Sequence, residues 1–134
     1  MMEFINTLWT FLPLNKQPPH VDRHYAEETE FSEWPVNSMY VPSVVTGAQV
    51  SDLTAGTTVA SPGFEEMYLT RTVPIGDTSC TGIKTIDKPK SDSYDDSGGV
   101  TVEHIDKNQD SDVICSCTRV ALGKDSLEEA DLNI

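Results

Sequence analysis

The densest run of oxygen-bearing side chains in this 134-residue sequence is His104-Ile105-Asp106-Lys107-Asn108-Gln109-Asp110-Ser111-Asp112-Val113. Asp106, Asn108, Asp110 and Asp112 place a side-chain oxygen at every second position and are followed by apolar Val113. Calcium is bound by six to eight oxygens, and alternating Asp and Asn residues in a loop supply such ligands. A second set is softer. Cys80, His104, Cys115 and Cys117 could face one zinc ion, since residues two apart on a strand share a face. There is no pair of Cys-x2–4-Cys hooks, however, and Cys115 and Cys117 read first as small buried hydrophobes. His20 and His24 stand four apart, a helical spacing that suits one metal, but no glutamate follows the first histidine as a zinc protease requires. Two histidines on a solvated helix is the expectation there.

The 106–113 segment resembles the first eight positions of an EF-hand calcium loop, which carries ligands at positions one, three, five and seven. It departs at two positions: Ser111 replaces the glycine of the sharp turn, and Cys117 stands in place of the bidentate glutamate. The resemblance implies at most weak calcium binding by Asp106, Asn108, Asp110 and Asp112. The plainer reading is a solvated acidic hairpin loop, with no cofactor. Asp96-Ser97-Gly98-Gly99-Val100-Thr101 resembles the Asp-Ser-Gly-x-x-Ser degron that a propeller-type ubiquitin-ligase adaptor reads after double phosphorylation. Thr101 replaces the usual serine. Ser93 and Ser126 have acidic residues three positions on, as acidophilic kinases prefer, so Ser93, Ser97, Thr101 and Ser126 are the candidate phosphorylation sites.

Nucleophilic and nucleotide chemistry leave no contiguous trace. The sequence has no Gly-x-Ser-x-Gly elbow, phosphate-cradling glycine loop or dinucleotide fingerprint, and it is not expected to be an enzyme. Charge narrows the partners. Against 22 acidic residues stand 9 basic ones, for a formal net charge of -13. No Lys or Arg occurs between Arg23 and Arg71. Nucleic acid is bound through clustered cations and is excluded as a partner. A protein with a basic surface or a hydrophobic groove is the expected company.

The elements that must carry these residues begin with an amphipathic helix over 1–13. At about 100° per residue, Phe4, Ile5, Leu8, Trp9, Phe11 and Leu12 fall in an arc of roughly 160°. Pro13 ends it. The i, i+4, i+7 spacing suits a hydrophobic groove, which makes these six the candidate partner-binding residues, while packing on the protein's own β core is the competing use. Residues 14–35 form an acidic linker or short helix. From 36 to 122 the composition turns to Val, Thr, Ser, Tyr and Gly, with strands expected at 39–46, 57–60, 64–73, 82–86, 99–105 and 112–122. A mobile loop at 87–99 and an acidic tail or short helix at 123–134 complete the chain.

The fold class expected is therefore mainly β, a small sandwich or barrel, with an N-terminal amphipathic helix and partly disordered acidic linkers. Phe4 to Leu14 is too short to span a bilayer and lacks the flanks of a secretory signal, so an intracellular location, cytoplasm or nucleus, is expected. The function expected is that of a non-catalytic acidic interaction or accessory protein, of a size found among virus-encoded accessory proteins. A weak calcium binder and a self-assembling structural subunit are the alternatives.

Overall fold

A computed structural model describes residues 1–50, 54–56, 58–88 and 97–124. Among the described residues α1 (Glu3–Phe11), α2 (Pro18–Val21), α3 (Arg23–Glu27) and α4 (Tyr40–Ala48) precede β1 (Thr58–Leu69), β2 (Cys80–Asp87), β3 (Ser97–Lys107) and β4 (Val113–Lys124). The strands form one antiparallel sheet in the order β1-β4-β3-β2. This is β-rich, as the turn spacing implied, but it is a single sheet with helices rather than a sandwich or barrel.

The segment 39–46 corrects the strand expectation. Its Val, Thr and Tyr content favours strand by propensity, yet Tyr40–Ala48 is α4. Val41 and Val45 are four apart, so one helical stripe buries both, and Pro42 sits in the first turn where it loses no hydrogen bond. The hydroxyls of Ser43 and Thr46 donate to the carbonyls of Met39 (3.0 Å) and Pro42 (2.9 Å), turning polar groups back onto the helix. Tertiary burial thus outweighs local preference.

The core lies between α4 and the sheet. Val36, Val41, Val45, Val73, Ile114, Cys115 and Cys117 form one buried cluster, and Ile83, Val100 and Val102 form another. Cross-strand register puts Val100, Val102, His104 and Asp106 of β3 opposite Ala121, Arg119, Cys117 and Cys115 of β4, all on the helix-facing side. The inward row of β4 is therefore the odd-numbered one. The β3–β4 ladder slips between Asp106 and Lys107, and Ile114, at the slip, is buried as well.

Helix α1 covers Glu3–Phe11 and turns its polar side toward the rest of the chain. Asn6 and Thr10 are its buried residues, while Phe4 is 71% and Leu12 70% exposed, with Leu8 and Phe11 also exposed. Hydrogen bonds hold this orientation: the Asn37 backbone N–H donates to Asn6 Oδ1 (2.7 Å), and Asn37 Nδ2 donates to Thr10 Oγ1 (3.3 Å). Trp9 meets Tyr40 with ring centroids 5.9 Å apart and ties α1 to the start of α4. Among the described residues no helix is long and apolar enough to cross a membrane. The expected loop at 87–99 and tail at 123–134 fall largely outside the described residues.

Candidate active site

A cavity of about 220 Å³ opens between the 20–41 segment and the end of β1. His20, Phe31, Val36, Val41, Leu69 and Val73 form much of its wall, and Ser38 and Arg71 add polar groups. Three local devices set its chemistry. The first is the break between α2 and α3. Pro18 and Pro19 open α2, where a missing N–H is harmless. Asp22 then leaves helical geometry (φ -127°, ψ 107°) and caps α3, its Oδ1 accepting from the Tyr25 N–H at 3.0 Å. His20 and His24 therefore do not share a helix face. His24 lies exposed 3.5 Å from Glu28, whereas His20 is half-buried on the cavity wall, its Nδ1 buried with no hydrogen-bond partner among the described residues.

The second device is the entry into α4. The first amides of a helix have no partner within it. Here the Asn37 amide is taken by Asn6, the Met39 amide by Asn37 Oδ1 (3.1 Å) and the Tyr40 amide by the Asn37 carbonyl (2.9 Å). Between them the Ser38 N–H is engaged by no hydrogen bond among the described residues, and Ser38 lines the cavity. The third is Arg71, the one Lys or Arg among the described lining residues, whose Nη1 donates to Asp112 Oδ2. An imidazole that can move a proton, an unclaimed amide near the positive end of a helix, and largely apolar walls make a site for chemistry in which negative charge develops on oxygen.

A second cavity, also about 220 Å³, is lined by Glu3, Arg23, Glu27, Glu33 and Trp34 among others. Arg23 Nε already donates to Glu27 Oε1 at 2.8 Å, and no imidazole or thiol reaches that wall.

The structure does not bring the four loop oxygens together. Asp106 is fully buried and accepts from the hydroxyls of Ser79 (2.7 and 2.8 Å) and Thr81 (2.9 Å). Asn108 Oδ1 accepts from the Asp110 and Asp112 amides (3.0 and 2.9 Å), and Asp112 turns to Arg71. Asp110 is exposed. Among the described residues no group of three or more His, Cys, Asp or Glu is placed to hold a metal ion. That covers the Cys80, His104, Cys115, Cys117 set as well: Cys80 is exposed, and Cys115 and Cys117 are buried. Of the phosphorylation candidates, Ser93 and Ser126 lie outside the described residues, Ser97 opens β3, and Thr101 is half-buried in β3 opposite Val120.

The polar row under α4 is electrostatically unusual. His104 is fully buried with neither ring nitrogen hydrogen-bonded among the described residues, and burial, with a smaller contribution from the Arg119 charge, lowers its pKa to about 4. Burial likewise raises the Asp106 pKa, opposed by the Ser79 and Thr81 hydroxyls. The Cys115 thiol is pushed up by its hydrogen bond with Cys117 and by burial, and the Cys117 thiol is drawn down by the same bond. These groups belong to the core and not to the wall of the His20 cavity.

Comparison with known proteins identifies the family. A model described as MaoC like domain, of the MaoC dehydratase type, matches residues 6–108, which is most of the chain. The chain belongs to the MaoC-like domain family. Its fold is similar to the monoamine oxidase regulatory protein from Archaeoglobus fulgius, with 25% identity and a TM-score of 0.82 over 92% of this chain and 82% of that one. It is also similar to the R-hydratase PhaJ1 from Pseudomonas aeruginosa, with 22% identity and a TM-score of 0.79, covering 100% of this chain and 83% of that one. A third likeness is to the HadBC (3R-hydroxyacyl-ACP dehydratase) complex from Mycobacterium tuberculosis, with 10% identity and a TM-score of 0.74 over 91% of this chain and 87% of that one. Among curated proteins no sequence relative matches.

Membership of this family overturns the expectation of a non-catalytic accessory protein, together with its calcium-binding and structural-subunit alternatives; the fold is the hot-dog-like one of MaoC dehydratases. The physical reason for the miss is visible in the site. His20, Ser38 and Arg71 come from a two-proline helix, a helix entry and a strand end, so no contiguous motif marks them. The available signal was Asp22, a capping residue two positions after His20 that breaks the supposed histidine pair.

Proposed function

We propose that the chain catalyses the reversible addition of water to a carbon–carbon double bond conjugated with the carbonyl of an acyl thioester, and the reverse dehydration, in the His20 cavity. Support comes from membership of the MaoC-like family and from likeness to proteins described as an R-hydratase and a 3R-hydroxyacyl-ACP dehydratase. The observation that carries the reading to particular residues is the pairing of His20 with the unclaimed Ser38 amide on one apolar cavity.

In the hydration direction, the His20 imidazole takes a proton as water attacks the carbon β to the carbonyl. The electron pair of the double bond moves onto the carbonyl oxygen as an enolate, which the Ser38 N–H and the partial positive charge at the start of α4 stabilise. Return of the proton to the α carbon regenerates the carbonyl and leaves a 3-hydroxyacyl thioester. Dehydration runs the same steps backwards. Loss of ultraviolet absorbance of a short trans-2-enoyl thioester measures the rate. His20→Ala and His20→Gln should lower kcat by about 10²–10⁴-fold, the usual worth of general acid–base catalysis, with little change in melting temperature. A wild-type chain that hydrates neither coenzyme A nor carrier-protein enoyl thioesters, or a His20→Ala variant of full activity, sinks this reading.

A second MaoC-like chain is the partner we infer. Phe4, Leu8, Phe11 and Leu12 leave an apolar helix face exposed to water, and the HadBC protein is described as a complex. Ile5 and Trp9 are half-buried, Trp9 against Tyr40.

A further inference from the structure

The alternating Asp-x-Asn-x-Asp-x-Asp run is built as a brace. It closes on itself: the Asn108 N–H donates to the Asp112 carbonyl (3.0 Å), the Ser111 N–H donates to the Asn108 carbonyl (3.1 Å), and Asn108 Oδ1 receives the Asp110 and Asp112 amides. Ser111 takes a left-handed conformation (φ 66°) that lets the loop turn back. Outward, the loop is tethered on two sides. Gln109 Nε2 donates to Asp77 Oδ1 (3.0 Å), and Gln109 Oε1 accepts the Thr78 amide (3.0 Å). On the other side Asp112 holds Arg71, and next to it Thr70 is pinned to β4, its hydroxyl donating to the Val113 carbonyl and its amide to the Ile114 carbonyl (3.2 Å).

What the brace holds is the cation on the cavity rim. We propose that Arg71, set in place by Asp112, is the specificity-determining residue of the His20 site and binds an anionic group carried by the substrate away from the reacting carbons. This rests on the hydratase reading for the reaction, though not for the binding. Arg71 is half-exposed, lines the same cavity as His20, and among the described residues gives only Nη1 to Asp112, which leaves its remaining N–H donors for a ligand. In a chain of net charge -13, an anionic ligand is repelled almost everywhere, so a cation at this mouth decides where such a ligand can enter. A guanidinium tethered beforehand loses less freedom on binding than a free one. The anion is a phosphate on the thioester arm or a carboxylate on the acyl chain; both present oxygens that match the guanidinium.

Saturated thioesters bind without being hydrated, so calorimetric binding tests the proposal whatever the turnover. The ligands are butanoyl-pantetheine, which is neutral, butanoyl-coenzyme A, whose arm carries phosphates, and succinyl-pantetheine, whose acyl group carries a carboxylate. Arg71→Gln should weaken one of the two charged ligands by roughly 10- to 100-fold and leave the neutral one within about twofold. Whichever charged ligand responds names the source of the anion. Asp112→Ala should weaken the same ligand several-fold with the fold intact by circular dichroism. Equal losses for all three ligands, no loss for any, or tighter binding by Asp112→Ala overturns the proposal. Wild-type binding with this pattern but no turnover of the matching enoyl thioesters would overturn the hydratase reading alone.

Discussion

His104 concentrates the electrostatic cost of this core. A fully buried imidazole with no hydrogen-bond partner is kept neutral, and its pKa is held at about 4 against 6.5 for the free side chain. Because the folded pKa lies below the unfolded one, the unfolded chain binds the proton first as pH falls. The neutral imidazole is no liability above pH 6.5; between about pH 6.5 and 4 stability drops, by on the order of 3 kcal/mol from this residue. Asp106 acts with the opposite sign, since a carboxyl whose folded pKa is raised favours the folded state as pH falls through that pKa. Denaturant unfolding of wild type and His104→Leu across this range separates the two. The wild type should lose stability relative to the variant as pH falls from 6.5 to 4, and parallel curves would refute the assignment. At this scale the sequence was readable in part. Cys115 and Cys117 as small buried hydrophobes could be inferred from a strand pattern; His20 as the reactive imidazole could not, because its partner Ser38 lies 18 positions on and contributes a backbone amide that no side-chain motif records.

Between α1 and α4 the interface is polar, and that sets the geometry of the site. Asn37 sits at the centre: its amide donates to Asn6, its side-chain oxygen accepts from Met39, and its side-chain nitrogen donates to Thr10. These bonds consume the amides flanking Ser38, a residue of the cavity wall, and leave the Ser38 N–H without a hydrogen bond among the described residues. Asn37→Ala would strand the Met39 amide and the buried Thr10 hydroxyl, a loss of about 1–3 kcal/mol in stability. Asn6→Ala would instead free the Asn37 amide as a competing donor beside Ser38. For Asn37→Ala we expect kcat for enoyl thioester hydration to fall further than the melting temperature accounts for, since α4 loses the contacts that aim its first turn. Unchanged kcat in a folded variant would show that α4 needs no such setting. The strands expected at 57–60 and 64–73 are one strand, Thr58–Leu69, that runs through the supposed turn at 61–63, whereas those expected at 82–86, 99–105 and 112–122 were readable from turn signals. Helix α4 was not, because its β-branched composition argues for strand and only burial against Ile114, Cys115 and Cys117 decides otherwise. The facing of α1 was hidden for a related reason: hydrophobic periodicity finds the apolar side of a helix but not the side that the rest of the chain can hydrogen-bond.

For the molecule as a whole, that inverted helix sets two forces against each other. Exposed Phe4, Leu8, Phe11 and Leu12 favour association through an apolar contact, while a net charge of -13 on each copy opposes it. The two respond differently to salt. Added salt screens repulsion between like-charged copies over a Debye length of about 8 Å at physiological ionic strength, and it leaves apolar burial largely intact. A second copy docked through α1 should therefore bind more tightly as ionic strength rises, the reverse of an assembly held by ion pairs. Light scattering of the purified chain from low to moderate salt should show the dimer fraction increasing, and Phe4→Ser/Leu8→Ser should be monomeric throughout with an unchanged melting temperature, because both side chains face solvent in the isolated chain. A dimer that weakens with salt would mean that charge, not the α1 face, holds the copies together. A dimer that persists in the double variant would place the interface on another surface, and a wild-type monomer at every ionic strength would leave a different MaoC-like chain as the one to fit this helix.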